Sequence, residues 1–196
     1  MRVIAGLYRR RVLQAPTWEG LRPTADRVKE TLFNILAPRV ERARVLDGFC
    51  GSGALGIEAL SRGAAHVTFV DADARAVELA RANLAHCGAL EGSVVIRGDY
   101  AAALRRLPPD ARFDIILLDP PYRGADVEGI LADSAPRLAG GGTIVFEHAR
   151  KAPTPDRSGD LVCVRRVAAG DSGLAFYAGA GAGEAPSGGV AQAGDD

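Results

Sequence analysis

The sequence predicts an α/β fold, in which a mostly parallel β-sheet carries helices on both faces. From Arg44 onward, short apolar runs alternate with segments of helical pattern, as they do in consecutive βαβ units. A glycine-rich stretch follows the first apolar run directly, at the place where such a sheet forms its ligand site. A chain of 196 residues has about the size of one domain. We therefore expect a single sheet, built by one domain.

Five short apolar runs are the predicted parallel strands, since strands that are buried on both faces are apolar throughout. These runs cover residues 43–47, 66–71, 93–97, 113–119 and 143–147. Two later runs, 161–169 and 174–178, flank a segment of glycine, aspartate and serine that favours a turn. The sheet is therefore expected to finish with an antiparallel pair.

Helical segments lie before the first strand and between the strands. They cover residues 24–37, 54–62, 73–87 and 101–107. Thr24 and Asp73 can accept hydrogen bonds from the free backbone N–H groups at a helix start. Gly63 and Gly88 can adopt the left-handed conformation that ends a helix. Pro38 follows the first helix and is expected to end it.

The two ends of the chain differ from this central pattern. Residues 1–42 hold the first helix and many basic residues, and we expect them to pack on the domain. Residues 179–196 consist mainly of glycine, alanine, serine and acidic residues, with too few large apolar groups to offset the entropy lost on ordering. We therefore expect one domain over residues 1–178, followed by a disordered, low-complexity tail.

Composition places the chain among water-soluble globular proteins, with 47% apolar and 24% charged residues. No apolar run approaches the length of about 18 residues that crosses a bilayer, and the N-terminus lacks a secretion signal. We expect a cytoplasmic protein without a membrane partner.

The three cysteines form no C-x-x-C pair and lie in apolar segments, at Cys50, Cys87 and Cys163. They are expected to be buried, reduced thiols, and no metal site is predicted.

The formal net charge is zero, but the basic residues gather near the N-terminus. Up to Arg44 there are ten lysine and arginine residues against four acidic residues. This surplus of positive charge is either a solvated basic face or a surface that contacts the phosphates of a nucleic acid.

A glycine loop follows the first strand and fits the pattern G-x-G-x-x-G through Gly51, Gly53 and Gly56. Backbone without Cβ atoms can turn tightly and approach a ligand at the carboxyl edge of a parallel sheet. Alone, the loop could also be a purely structural turn. We predict that Gly51, Ser52 and Gly53 bind a cofactor.

Acidic residues at the ends of the first three strands suggest which cofactor binds. Asp71, followed by Ala72, can accept hydrogen bonds from two ribose hydroxyls, which fits NAD as well as S-adenosylmethionine. Asp47 can meet the ammonium group of a ligand but would oppose a pyrophosphate. Asp99, followed by Tyr100, can accept from an adenine amino group or can cap a helix. The set favours S-adenosylmethionine.

The fourth predicted strand ends directly in Asp119, Pro120, Pro121 and Tyr122. Neither proline can donate to a β-ladder, so the chain must leave the sheet in a stiff loop. An exocyclic amine reacts only when acceptors hold its N–H groups, and the Asp119 carboxylate and the Pro120 carbonyl can do so. Tyr122 offers a face on which a base can stack. The stretch predicts amine methylation, with adenine, guanine and a glutamine side chain all open as acceptors, and an ordinary loop as the structural alternative.

These residues resemble the motifs of class I S-adenosylmethionine-dependent methyltransferases and, more narrowly, the family of bacterial 16S ribosomal RNA guanine-N2 methyltransferases. The similarity extends from Arg2 to Tyr177 and is carried by residues 2–6, 21–36, the glycine loop with residues 56–64, and 119–122. It implies a Rossmann-like sheet of seven strands with the last one antiparallel, and transfer of a methyl group from S-adenosylmethionine to the N2 of a guanine in 16S ribosomal RNA.

The resemblance also implies that the N-terminal segment contributes to binding of the cofactor and of RNA. The basic residues concerned are Arg9, Arg10, Arg11, Arg22 and Arg27. The zero net charge leaves room for recognition of the RNA within a small ribosomal subunit or an assembly intermediate. We expect the enzyme to be a monomer.

This sequence departs from the family pattern at three positions. Gly48 stands where the family usually has a larger apolar residue, Cys50 where it has alanine, and Asp71 where it has glutamate. None of these removes a predicted role.

Three alternative functions remain open besides ribosomal RNA methylation. They are a DNA adenine-N6 methyltransferase, which shares the tetrapeptide, an NAD-dependent oxidoreductase, which shares the glycine loop, and a non-enzymatic RNA-binding module.

Overall fold

The computed structural model describes residues 1–16, 18, 26–121, 124–152 and 154–181. Within these residues the predicted α/β fold is confirmed. The helices are α1 (Asp26–Val40), α2 (Ala54–Ser61), α3 (Ala74–Cys87), α4 (Tyr100–Arg106) and α5 (Val127–Ser134). The strands are β1 (Arg44–Gly48), β2 (His66–Asp71), β3 (Ser93–Arg97), β4 (Phe113–Leu118), β5 (Leu138–Ala149), β6 (Arg157–Ser158), β7 (Leu161–Ala169) and β8 (Ser172–Gly179).

All strands of the described residues lie in one sheet, in the order β3-β2-β1-β4-β5-β8-β7-β6. Strands β1 to β5 are parallel to one another, and β8 is antiparallel to both β5 and β7. The antiparallel last strand is confirmed, but the expected number of seven strands is wrong. The eighth is β6, whose two residues pair with the start of β7.

Helices cover both faces of the sheet, because consecutive strand residues point to opposite sides. On one face α1, α2 and α3 pack against Val45 and Leu117. On the other face α4 and α5 pack against Leu46 and Leu118. Each of these buried aliphatic side chains contributes about 1.5–3 kcal/mol of hydrophobic free energy. The parallel strands are therefore held between two apolar layers, and their ends remain as the places where a site can form.

Local signals set most helix ends. The Asp73 carboxylate accepts a hydrogen bond of 2.8 Å from the backbone N–H of Arg75 at the start of α3, and Gly88 ends that helix in the left-handed conformation. The predicted end of α1 is wrong, since this helix continues through Pro38 to Val40. Val40 is 1% exposed, and its burial in the core favours the additional helical residues. This burial outweighs the helical hydrogen bond that is lost because Pro38 has no backbone N–H. The predicted cap Thr24 lies outside the described residues.

The prediction that all three cysteines are buried is only partly confirmed. Cys50 and Cys87 are buried thiols as predicted, but Cys163 is only partly buried, because it lies on β7 near the edge of the sheet.

Strand β5 is longer than expected at both ends, and helix α5 was not predicted. The predicted tail lies mostly outside the described residues. No helix in the described part of the chain is long and apolar enough to span a bilayer.

Candidate active site

The predicted site residues meet at the carboxyl edge of the sheet. Gly48 of β1 pairs with Val70 of β2 on one side and with Leu118 of β4 on the other. The next residues in the chain, Asp71 and Asp119, therefore reach the edge at one level, two strand spacings apart. This separation is about 10 Å, given the usual spacing of about 4.8 Å between strands. The edge thus carries the predicted ribose acceptor and the predicted catalytic acid on either side of the β1 end.

The glycine loop leaves β1 between these two acids and is tightly wound. Gly53 has a φ of 78°, and its N–H donates to the Cys50 carbonyl at 2.7 Å. At Gly56 a Cβ atom would lie 2.2 Å from the Phe69 ring and 2.9 Å from Asp47 Oδ2. The left-handed conformation at position 53 therefore favours glycine. Position 56 requires glycine because any side chain there would prevent α2 from approaching the sheet closely.

Asp47 lies beneath the loop and is 1% exposed. Its Oδ2 accepts a hydrogen bond of 2.8 Å from the Gly56 N–H. Burial raises the pKa of Asp47 to about 8, the Gly56 N–H opposes this rise, and the negative charge of Asp71 adds to it. At neutral pH this carboxyl group is therefore mostly protonated, and a cation bound beside it would favour its ionisation.

Asp71 is partly buried and fastens the loop from the side of β2. Its Oδ2 accepts from the Gly51 N–H at 2.8 Å, and its Oδ1 accepts from the Asp73 N–H at 2.9 Å. Each carboxylate oxygen has a second lone pair that can accept from a ribose hydroxyl. The following residue, Ala72, is exposed at the same corner.

The two predicted cofactor residues that follow β3 and Gly98 lie in different surroundings. Asp99 is exposed, and its Oδ1 caps α4 by accepting from the Ala102 N–H at 3.0 Å. The cap uses one oxygen, so a second acceptor remains for a ligand. Tyr100 is 5% exposed, its ring stacks on Phe49 with centroids 5.0 Å apart, and its hydroxyl pairs with the Ser134 hydroxyl at 2.7 Å. The side chain of Tyr100 is therefore packed among buried residues, so a ligand could meet this residue through its backbone alone.

The corner that follows β4 begins at the same edge. Asp119 is partly buried, Pro120 is buried and Pro121 is exposed. Asp119 is the first residue beyond β4, next to Leu118, which packs on the α4 and α5 face. Tyr122 lies outside the described residues.

The basic N-terminal segment folds as a small hairpin against α2. The Val3 N–H donates to the Arg11 carbonyl at 2.9 Å, and the Arg10 N–H donates to the Val3 carbonyl at 2.9 Å. Arg9, Arg10 and Arg11 are exposed, although Arg11 also donates to the His86 carbonyl at 3.2 Å. Arg27 is exposed at the start of α1. Arg22 lies outside the described residues.

Glu58 of α2, which we did not predict as a functional residue, anchors this hairpin. It is fully buried and accepts from the N–H groups of Ile4 and Ala5, at 2.8 and 3.1 Å. It also binds Arg62 at 2.8 Å and lies 3.8 Å from the buried ammonium group of Lys29. A glutamate within an otherwise apolar helix was the available sequence signal.

Asn83 of α3 joins the hairpin to the glycine loop and was also missed. Its side chain is fully buried, and its amide donates to the Ser52 carbonyl at 2.9 Å. It exchanges two further hydrogen bonds with the backbone of Gln14, at 2.8 and 3.1 Å. Further along the chain, the Trp18 ring lies 5.0 Å below the Arg75 guanidinium, near the start of α3. The N-terminal segment therefore runs along α3 towards the edge that carries Asp71.

The strand order, the glycine loop and the acids at the carboxyl edge together give the Rossmann-like fold of class I methyltransferases. The solved structure of the Escherichia coli protein yhhF superposes with a TM-score of 0.78 at 35% identity, covering 90% of this chain and 96% of that one. SMU.776, solved as a complex with S-adenosylhomocysteine, superposes with a TM-score of 0.63 at 17% identity, covering 76% of this chain and 48% of that one. The second likeness shows the fold alone.

The chain belongs to the family described as Conserved hypothetical protein 95, which matches residues 1–178. YlbH of Bacillus subtilis (strain 168), provisionally named an rRNA methyltransferase, is 41% identical over 180 residues, covering 90% of this chain and 98% of its own length. "Ribosomal RNA small subunit methyltransferase D" of Escherichia coli (strain K12) is 40% identical over 147 residues, covering 75% of this chain and 71% of its own length. The family resemblance seen in the sequence is confirmed.

Proposed function

We propose that this protein transfers a methyl group from S-adenosylmethionine to the exocyclic N2 of a guanine in 16S ribosomal RNA. The observation that carries the proposal is the shared level of Asp71 and Asp119 at the carboxyl edge, with the glycine loop between them. A span of about 10 Å accommodates a ribose, a sulfonium and its methyl group between the two acids. The relatives named as ribosomal RNA methyltransferases support the same assignment.

The donor set of the loop fits S-adenosylmethionine better than NAD. The N–H groups of Gly51 and Gly56 already donate to Asp71 and Asp47, and the Gly53 N–H donates to the Cys50 carbonyl. A pyrophosphate would need such N–H groups and would meet two carboxyl groups instead. The ammonium group and the ribose of S-adenosylmethionine are matched by these same acids. Asp47, Gly51, Ser52, Gly53, Asp71 and the corner at Ala72, Asp99 and Tyr100 would hold the cofactor.

The reaction needs little more than alignment and acceptors. When bound, S-adenosylmethionine supplies a methyl group on a positively charged sulfur. The Asp119 carboxylate and the Pro120 carbonyl accept hydrogen bonds from the amine, which turns the nitrogen lone pair towards that methyl group. As the N–C bond forms and the C–S bond breaks, the Asp119 carboxylate stabilises the positive charge that develops on nitrogen. The nitrogen would then release one proton to water, which leaves a neutral methylated amine and S-adenosylhomocysteine. Pro121 stiffens the corner, and Tyr122 offers a stacking face.

The N-terminal hairpin supports RNA as the substrate. Arg9, Arg10 and Arg11 present exposed guanidinium groups, and the start of α1 with Arg27 lies next to this hairpin, because Arg2 Nε is 3.6 Å from Asp26. Basic groups on one surface attract the phosphates of RNA. We extend the proposal to Arg22, to a monomer acting in the cytosol, and to 16S ribosomal RNA within a small subunit or an assembly intermediate as the form of the substrate.

The test is transfer of labelled methyl groups to small ribosomal subunits from a strain that lacks this protein, followed by nucleoside analysis. The label is expected in N2-methylguanosine. Asp119→Asn should lower the rate of transfer at least about 100-fold, as removal of a transition-state acceptor does, while the affinity for S-adenosylhomocysteine changes less than about threefold. Label in N6-methyladenosine, or full activity of the variant, would contradict the proposal.

A further inference from the structure

A second acid lies beside Asp119 and has no part in the reaction described so far. Leu118 of β4 pairs with Phe146 of β5, so the next residues along the two strands, Asp119 just beyond the end of β4 and Glu147 two residues before the end of β5, are neighbours. One strand spacing, about 5 Å, separates their backbones. Leu118 and Phe146 both pack on the α4 and α5 face, so Glu147, the next residue within β5, lies on the opposite face, and Asp119 is the first residue beyond β4.

Glu147 is held in a defined position. It is 5% exposed, and its Oε1 accepts a hydrogen bond of 2.8 Å from the Ser172 hydroxyl, which is itself 4% exposed at the start of β8. Burying a carboxylate within a sheet costs free energy unless polar groups compensate for the lost water. The hydroxyl supplies one such group and holds one of the two carboxylate oxygens on the β8 side of β5. A carboxylate has about four acceptor positions in all, and the Ser172 hydroxyl uses one of them.

The chemistry of the base gives this carboxylate a use. Guanine carries an N–H at ring position N1, directly next to the exocyclic N2 amine, so the two groups form a pair of neighbouring donors. Adenine carries an acceptor at the corresponding ring nitrogen. An extruded base is read along this Watson–Crick edge. A carboxylate one strand away from the amine acceptor would attract guanine and repel adenine.

We infer that Glu147 is a specificity-determining residue, whose carboxylate accepts the N1–H of the target guanine while Asp119 and Pro120 hold its N2 amine. The inference rests on the proposed function and names the group that selects the base. Ser172 acts through Glu147 as a positioning residue. Adenine would place an acceptor against the Glu147 carboxylate, and 2-aminopurine, which keeps the 2-amine but has no N1–H, would do the same.

The test uses small ribosomal subunits reconstituted with 16S ribosomal RNA that carries either guanine or 2-aminopurine at the position identified by the transfer experiment above. The wild-type enzyme should prefer guanine by about 10- to 100-fold in kcat/KM, the range expected for a hydrogen bond to a charged group. In Glu147→Gln the side-chain amide can donate to the bare N1 of 2-aminopurine. This variant should lose activity on guanine and gain it on 2-aminopurine, so that the preference falls below about threefold or inverts.

Ser172→Ala provides a second variant that keeps the carboxylate and loses its orientation, and its preference for guanine should be intermediate. Affinity for S-adenosylhomocysteine should stay within about threefold in both variants, since Glu147 lies two strands from the β1 end. A merely structural role would lower activity on both substrates alike and leave the preference unchanged, which would overturn the inference. Absence of N2-methylguanosine with the wild-type enzyme would instead refute the proposed function itself.

Discussion

Replacing Asn83 by aspartate tests whether the N-terminal hairpin and the glycine loop are held together by this one side chain. The Asn83 amide nitrogen donates to the carbonyls of Ser52 and Gln14, at 2.9 and 3.1 Å, and its oxygen accepts from the Gln14 N–H at 2.8 Å. Aspartate has nearly the same shape. It keeps the acceptor, loses both donors, and turns a carboxylate oxygen towards two carbonyl oxygens.

The magnitude follows from these contacts. Two neutral hydrogen bonds contribute about 0.5–1.5 kcal/mol each, so Asn83→Asp should lower the free energy of unfolding by about 1–3 kcal/mol at pH 8. The side chain is fully buried, so the introduced carboxyl group should have a raised pKa in the folded state. When protonated it regains one donor. The loss should therefore be smaller at pH 5 and grow as the pH rises through that pKa.

Denaturant unfolding at pH 5 and pH 8 measures this loss, and calorimetric titration with S-adenosylhomocysteine measures the state of the loop. We expect affinity to fall roughly fivefold at pH 8, as loss of about 1 kcal/mol implies, and to recover partly at pH 5 relative to wild type. Asn34→Asp is the matched control, because Asn34 is exposed on α1. Equal behaviour of the two variants would show that Asn83 does not hold the loop.

Three further predictions concern the loop and the hairpin. Asp47→Asn keeps an acceptor for the Gly56 N–H but cannot ionise. Because the pKa of Asp47 in the folded protein is raised to about 8, wild-type affinity for S-adenosylhomocysteine should rise from pH 6 to pH 8 more steeply than that of the variant. Over the same pH range the free energy of unfolding of the wild type should fall relative to that of the variant. Gly6→Ala should destabilise by more than about 2 kcal/mol in denaturant unfolding, since φ is +81° and the new Cβ would lie 1.7 Å from a backbone oxygen, whereas Gly140→Ala, with open space around it, should change little. Glu58→Gln removes one of the two carboxylates that lie 3.8 Å from the buried Lys29 ammonium group, the other being Asp26, and also removes the charged partner of Arg62. It should cost about 1.5–3 kcal/mol, and a loss below about 1 kcal/mol would contradict a buried ionic anchor.

The sequence predicted the parts of the site that depend on neighbours in the chain. A strand of apolar residues, a glycine turn and a pair of prolines are each specified within about ten residues, because backbone conformation there follows from local side chains. Asp47, Asp71 and Asp119 could therefore be assigned to strand ends, and parallel strands bring their carboxyl ends to one edge. The basic character of the hairpin was also visible, but its shape was not.

Contacts between distant segments were decided only by the tertiary structure. Glu58 meets the amides of the hairpin across more than 50 residues of sequence, and Asn83 meets Gln14 across 69. Glu147 stands beside Asp119 only because β5 follows β4 in the sheet in a particular register. The helix α1 passes Pro38 because Val40 finds an apolar place in the core. Such pairings depend on which surfaces fit together once the sheet has formed, and no periodicity or cap in the chain records that fit.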